Sequence, residues 1–464
     1  MTEDRIPEFA IVGHPNEGKS SIVSTLSEDD SVRISPNPGE TAECRVFPVI
    51  VDGTEIIRFT DTPGFQNPKR IKAWMKKNQA KNGNIVRDFR KSHAHDTDFK
   101  HDCELLQPIE RGAGIIFIAD GSRPVRNSDL AEMEILRLTG RPRMAIINSK
   151  EDSTAYLDRW KNEFRKHFNA IRVFNAHKAT YSERIDLLES LKGIDQDMAP
   201  VLDSVISAFK EDWKQRNKRT VKNISDLLEK CLSFNITKGI TDRSDEDAIR
   251  KRLSKKFIGS IEELEKKTHK EIRKLFKHNI FNYVLPSILY EKLDCDKTWR
   301  FLGLRPKQLV ATAAMTGAAF GAALDLAAGG ITFGVFTTIG LLSGAGGMAF
   351  GGGKKLVKAK VVGLSLGNYQ IRIGPIKNIQ FMYILLDRVM IFYSHTINWA
   401  HGRRDISQKL IKGERIGCTS KWDKESHKTC MAFFASIGSY DETKKERARS
   451  AFRKTLEKEL QNYL

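Results

Sequence analysis

Residues 13–20 read Gly13-His-Pro-Asn-Glu-Gly-Lys-Ser20, a G-x-x-x-x-G-K-S spacing that follows the apolar run of residues 9–12 and leads into the helical stretch of residues 22–26. Chemistry at such a site would be the holding of a phosphate chain. Glycines at 13 and 18 let the backbone wrap the phosphates, while successive N–H groups at a helix N-terminus supply positive potential. Lys19 would reach the terminal phosphates and Ser20 would give its hydroxyl to Mg²⁺, with Asn16, Glu17 and Ser21 completing the loop. Downstream, Asp61-Thr-Pro-Gly64 puts a carboxylate where it can hold Mg²⁺ through water and a glycine N–H where it can approach the last phosphate. Pro38-Gly-Glu-Thr41 sits in a turn-rich stretch, from which Thr41 can close over the nucleotide and add a metal ligand. Lys19, Thr41 and Gly64 are therefore the catalytic candidates, and Ser20, Thr41 and Asp61 the candidate Mg²⁺ ligands.

These residues need a sheet to position them. Residues 44–51 and 54–60 are β-like and flank Asp52-Gly53, a two-residue hairpin signal. Strands at 114–119, 144–147 and 171–174 alternate with helical stretches at 128–138 and 156–167, the pattern of a mostly parallel sheet covered on both faces. The second of these strands runs into Asn148-Ser-Lys-Glu-Asp152, and the last into Asn175-Ala-His-Lys178.

In order and rough spacing these motifs resemble those of translation-factor-class small GTPases, and the G-x-P-N-x-G-K-S loop is similar to that of the Era, TrmE and Der branch. The likeness spans residues 5 to about 200. It implies an α/β P-loop GTPase domain with a mostly parallel six-stranded sheet, GTP and GDP as ligands, and Mg²⁺ as cofactor. Guanine-specific folds read the base with [N/T]-K-x-D, whose carboxylate accepts from groups that adenine lacks. Here Lys150 and Asp152 have that spacing behind Ser149, while Asn148 stands one residue early, so either Asn148 or Ser149 opens the motif. Ala176 and His177 match the second base loop in a weakened form. Phe65 stands where Ras-like enzymes put a water-orienting glutamine, which implies slow intrinsic hydrolysis. In the branch resembled, the loop asparagine corresponding to Asn16 helps hold a monovalent cation, often K⁺; the alternative is that Asn16 only stabilises the turn.

Composition bounds the rest. A chain of 464 residues needs more than one core, and Lys+Arg 77 against Asp+Glu 58 gives +19, which favours an anionic partner. The six cysteines form no C-x-x-C pair, so neither a disulfide framework nor a zinc ribbon is indicated and a reducing cytoplasm fits. The charged N-terminal residues do not read as a secretory signal. No Ser/His/Asp or Cys/His constellation marks a second enzyme. The GTPase domain is expected over residues 1–200, with a basic insertion at about 66–104. There Lys69, Arg70, Lys72, Lys76, Lys77, Lys81, Arg87, Arg90 and Lys91 interleave with Trp74 and Phe89, either as a contact surface for RNA or an acidic partner or as a solvated face. His93, His95, Asp96, His101 and Cys103 cluster nearby without the spacing of an established metal site.

Residues 201–300 read as amphipathic helices through Val201, Val205, Phe209 and Trp213, then Ile249, Leu253, Phe257, Ile261 and Leu264. No G-x-x-G between helix and strand marks an RNA-binding KH module downstream, which weakens a ribosome-assembly role. Residues 301–360 hold a glycine-rich hydrophobic helical hairpin. Within it, residues 309–350 contain one ionisable side chain, Asp325, and Gly329-Gly330 divides them into two stretches, each close to the ~20 residues that cross a hydrocarbon core. Basic residues flank both ends, so contact with an anionic membrane at its inner face is one reading and a buried, glycine-packed hairpin the other. Residues 361–464 are expected to form a short strand pair, at 360–366 and 369–373, followed by helices at 379–399 and about 448–460. The mainly α-helical half also resembles a bacterial C-terminal domain of unknown function. The combined reading is a slow, cation-stimulated GTPase switch at a membrane face; the alternatives are an RNA- or ribosome-associated GTPase and a nucleotide-sensing scaffold. Its protein effector is not legible.

Overall fold

The computed structural model describes residues 6–28, 43–79, 84–148, 155–176, 179–240, 246–278, 285–305, 307–309, 369–398 and 417–463. Thr41, Ser149, Lys150, Asp152, His177 and residues 310–350 of the expected hairpin lie outside this set.

The N-terminal part is an α/β layer. Strands β1 (Glu8–Val12), β2 (Arg45–Val51), β3 (Thr54–Asp61), β4 (Gly114–Asp120), β5 (Arg143–Asn148) and β6 (Ala170–Phe174) form one sheet in the order β2-β3-β1-β4-β5-β6. Only β2 runs antiparallel in it, paired to β3 across Asp52 and Gly53, which both take positive φ in the hairpin turn. The inner strands are apolar on both faces because helices cover both. Ile116 and Ile118 of β4 and Met144 and Ile146 of β5 face one buried layer, while Ile115, Phe117, Ala145 and Ile147 face the other. Helices α1 (Lys19–Ser27) and α7 (Tyr181–Lys192) lie on the first face. The second is covered by α2 (Pro68–Asn78), α3 (Ile85–Ser92), α4 (Lys100–Glu110), α5 (Asn127–Leu138) and α6 (Leu157–His167).

Helix α8 (Ala199–Ser233), about 50 Å long, joins this layer to the second half. Leu202, Val205, Ile206 and Phe209 of its first turns belong to the sheet's core, whereas Trp213 and everything apolar beyond belong to the C-terminal core. Val201 is exposed, so the buried stripe runs through Leu202 rather than Val201. Helix α9 (Glu246–Leu275) packs along α8 through Leu253, Phe257 and Ile261, and α10 (Asp296–Phe301) follows. Strand β8 (Tyr369–Ile373) pairs antiparallel with β7 (Ile236–Ile240); residues 360–366, its expected partner, lie outside the described residues.

Helix α11 (Ile379–Ile397) is the axis of the C-terminal core, enclosed by α8, α9, α12 (Lys424–Ile437) and α13 (Glu442–Gln461). Its charged pair, Asp387 and Arg388, is buried and fully used. Asp387 Oδ2 accepts from Gly303 N at 2.6 Å and Oδ1 from Thr419 N at 2.8 Å, so one carboxylate holds two chain segments more than a hundred residues apart. No helix among the described residues is long and apolar enough to cross a membrane.

Candidate functional site

Parallel registry brings the carboxyl ends of the inner strands to one edge. Ile11 pairs with Asp61, Val12 with Phe117, and Asp120 with Asn148, so β1, β3, β4, β5 and β6 all end at one edge of the sheet, beside the point where the strand order turns, the position at which open α/β sheets bind ligands. The loop from β1 to α1 crosses very close to β4: a Cβ at Gly13 would be driven into the Ile118 carbonyl oxygen. It also touches the loop after β3, where a Cβ on Gly64 would lie 2.7 Å from Pro15 Cδ. Asn16 and Gly18 take φ of 67° and 94°, which carry the chain round the loop. Gly18 starts α1 without a side-chain cap, so the first N–H groups of the helix are directed at the crevice.

Lys19 Nζ donates to the carbonyls of Gly13, at 3.1 Å, and His14, at 3.2 Å, and burial lowers its pKa despite the nearby Asp61, Glu132 and Glu17. Ser20 Oγ donates to Asp61 Oδ2 at 2.8 Å. Asp61 is buried, its pKa raised by that burial, and its Oδ1 has no partner among the described residues. A hydroxyl beside a carboxylate with one oxygen left over is a donor set that suits Mg²⁺. Ser21 is buried behind the loop.

Beneath the loop lies a charged layer that sequence spacing did not disclose. The Glu17 side chain points inward, where its carboxylate accepts from Arg123 Nε at 2.6 Å and from the Asp120 N–H. Arg123 also forks onto Asp129 with bonds of 2.7 and 2.9 Å and lies over the Trp160 ring. His14 Nδ1 is 3.3 Å from Glu132 Oε1, and this hydrogen bond raises the imidazole pKa against the lowering effect of burial. Asp129 and Glu132 stand one helical turn apart on α5 and are completely buried. Their i,i+3 spacing beside apolar Ala131, Met133, Ile135 and Leu136 was the available signal, but it is equally that of a solvated face.

On the base side Asn148 is enclosed and fully occupied. Its Nδ2 donates to Glu17 O at 3.0 Å, and its Oδ1 accepts from Ala176 N at 3.4 Å, so one amide ties the phosphate loop to the last loop of the sheet. Thr25 Oγ1 of α1 donates to Ala176 O at 3.0 Å from the other side. Phe65 is buried in the core under α2, and the loop beyond it is held by Asp102, whose Oδ1 accepts from Gln66 N at 2.9 Å.

The expected basic segment is helical and partly neutralised. Arg70 pairs with Asp98, Lys76 with Glu134, and Arg87 and Arg90 with Glu110. His93 stacks on Phe89 at 4.4 Å and meets Phe99 edge-on at 4.6 Å, an aromatic packing role. No group of three or more His, Cys, Asp or Glu side chains that could hold a metal ion occurs among the described residues.

A profile for "Domain of unknown function (DUF3482)" matches residues 161–462, well over half of the chain. The chain belongs to the DUF3482 family. A second profile, described as "50S ribosome-binding GTPase", matches residues 8–149, so this DUF3482 protein carries a P-loop GTPase domain at its N-terminal side. Among curated relatives it is 23% identical to GTPase Der of Thermotoga petrophila over 60% of the chain and 56% of that relative. It is 28% identical to the probable GTP-binding protein EngB of Neisseria gonorrhoeae over 41% of the chain and 78% of that relative. The chain thus spans about half the length of Der. The crystal structure of Era in complex with MgGDPNP and nucleotides 1506–1542 of 16S ribosomal RNA aligns over 44% of the chain and 57% of that structure, at 20% identity and a TM-score of 0.29. The family boundary at 161 falls at α6, inside the α/β layer, consistent with α8 serving both cores.

Proposed function

We propose that this DUF3482 protein is a Mg²⁺-dependent guanine-nucleotide switch that hydrolyses GTP slowly and whose C-terminal helical half is the output. The observation that carries the proposal is the Ser20–Asp61 contact beside Lys19: residues far apart in sequence meet at the mouth of an uncapped helix, with one Asp61 oxygen left unpartnered. When bound by Ser20 and, through water, by Asp61, Mg²⁺ would neutralise charge between the outer phosphates. Lys19, released from the Gly13 and His14 carbonyls, would turn to the phosphate oxygens, and the loop N–H groups would orient them. The Gly64 N–H and Thr41 would complete the contacts to the last phosphate. Phe65, buried and without a polar atom, cannot orient the attacking water, which supports a low intrinsic rate.

Asn148 supports a guanine-reading motif that opens at 148 and runs one residue long, so that Lys150 and Asp152 keep their spacing. By calorimetry, wild-type protein should bind GTP and GDP at least tenfold tighter than ATP. Asp152→Asn should move that preference toward xanthosine nucleotides, because an amide can donate to the 2-oxo group of xanthine, and Glu151→Gln should leave it unchanged. A swap produced by Glu151→Gln alone would make Glu151 the reader.

Turnover is expected to be faster in K⁺ than in Na⁺ at equal ionic strength, by several-fold, with Asn16 in the loop turn supplying part of the cation site. Equal rates in the two salts, unaltered by Asn16→Ala, would remove the cation from the mechanism and leave the nucleotide site standing.

Pairing of Arg70, Lys76, Arg87 and Arg90 with neighbouring carboxylates lowers the charge that residues 69–91 can offer an RNA. Contact of residues 309–350 with an anionic membrane rests on their sequence; flotation with anionic liposomes in each nucleotide state tests it, and protein left at the bottom of the gradient in both states would exclude it.

A further inference from the structure

Glu28 immediately follows α1, takes a φ of 53° and is enclosed by cations from three other elements. Arg184 Nη2 of α7 lies 2.6 Å from its Oε1, Arg216 Nη2 of α8 lies 2.7 Å from its Oε2, and Lys277 Nζ, just beyond α9, is 3.4 Å from Oε2. Arg216 also pairs with Asp212, yet its Nη1 has no acceptor among the described residues. Burial by itself would raise the Glu28 pKa; the three cations outweigh it and hold the carboxyl well below its usual range. Three positive charges against Glu28 and Asp212 leave the cluster in positive excess, and charges at low effective dielectric respond steeply to small displacements.

The geometry connects this cluster to both halves of the molecule. Lys19 and Ser20 form the first turn of α1 and Glu28 sits at its other end, about 13 Å away along a short rigid rod. Arg184 Nη1 donates to Thr25 O at 3.3 Å, and Thr25 in turn donates to Ala176 of the base loop. Lys277 Nζ reaches Ile50 O of β2 at 3.5 Å. On the other side, Arg216 belongs to the stretch of α8 that packs in the C-terminal core, and Phe276, next to Lys277, is part of that core.

We propose that Glu28 is the joint through which the nucleotide at the phosphate loop and the C-terminal helical core sense each other. The inference rests on the nucleotide-binding reading above. A ligand that draws the first turn of α1 toward the phosphates shifts its far end against Arg184, Arg216 and Lys277, and the coupling is reciprocal: whatever fixes α8 and α9 alters the relative affinity for the two nucleotides. Arg216 Nη1, without an acceptor among the described residues, gives the cluster a donor for a second arrangement of the same charges.

The test uses full-length protein and Trp213, which stacks on Tyr181 at 3.9 Å and meets Phe276 at 5.0 Å beside the joint. Trp213 emission, obtained as wild type minus Trp213→Phe, is compared with GDP and with a non-hydrolysable GTP analogue bound, and occupancy is established separately with fluorescent nucleotides. The expected result is a different emission in the two states and, in Lys277→Gln, a change of at least threefold in the ratio of GTP-analogue to GDP affinity, restored by Lys277→Arg. Identical emission with both nucleotides bound would overturn the joint and leave the nucleotide site intact; this arm uses no variant of the cluster and does not depend on one folding. An unchanged affinity ratio in a folded Lys277→Gln protein would likewise overturn it. Failure of wild type to bind either guanine nucleotide would bring down the underlying reading and the joint with it.

Discussion

Lys19→Ala is expected to weaken binding of GTP and GDP by at least about 100-fold, close to abolition at micromolar protein in calorimetry. Lys19 is the one loop side chain whose ammonium is buried at the crevice, held by two carbonyls of the loop itself. Phosphate oxygens are stronger acceptors than those carbonyls, and a charge-assisted hydrogen bond contributes about 1.5–3 kcal/mol, so loss of the ammonium from two phosphate contacts reaches the stated factor. Alanine is a good helix former at the start of α1, and removing the desolvated ammonium also removes its burial cost, so the fold should be retained. Circular dichroism and thermal melting should therefore match wild type. Full-strength nucleotide binding by a folded Lys19→Ala protein would sink the phosphate-loop assignment.

Arg388→Met is expected to destabilise the C-terminal core by about 3–5 kcal/mol, the usual cost of stripping one partner from a buried ion pair. Arg388 lies in the middle of α11, forks onto Glu265 of α9 with bonds of 2.6 and 3.0 Å, and also donates to the carbonyls of Ile288, Leu289 and Glu291. Methionine fills most of the volume but leaves Glu265 buried without its cation and three carbonyls short of a donor. His269 Nε2 lies 3.8 Å from Glu265 Oε1, but burial, the larger cause of its low pKa and one that the substitution leaves in place, opposes its protonation, and its ring stacks on Phe392 at 4.0 Å. Urea denaturation followed by Trp fluorescence measures the change, and adding Glu265→Met to Arg388→Met should recover part of it, because two apolar groups replace an orphaned charge. A cost below about 1 kcal/mol for Arg388→Met alone would mean that water reaches the pair.

The phosphate loop, the Asp61-Thr-Pro-Gly64 turn, the Asp52-Gly53 hairpin and the alternation of strands and helices in the α/β half were legible in the residues themselves, because each depends on local rules. Glycine supplies backbone freedom over a few residues, and apolar runs of strand length between helical periods imply a covered parallel sheet. Helix α11 was legible as apolar, and so were the stripes of α8 and α9, apart from the shift from Val201 to Leu202 that an exposed Val201 imposes. What sequence order could not supply was the partner of any buried charge. Glu17 with Arg123, His14 with Glu132, Glu265 with Arg388, and Glu28 with Arg184, Arg216 and Lys277 join residues that are far apart in the chain, and each charge alone reads as a solvated surface group. Asn148 changed from one of two open candidates for the base motif to a residue whose amide is already committed to Glu17 and Ala176. Likewise α8 looked like the start of a second region, and only its three-dimensional course shows Phe209 in one core and Trp213 in the next. The physical reason is common to all of these: local propensity and pattern are properties of neighbours in sequence, whereas burying a charge is tolerable only where packing brings a counter-charge from elsewhere, and that meeting is decided by the assembled fold.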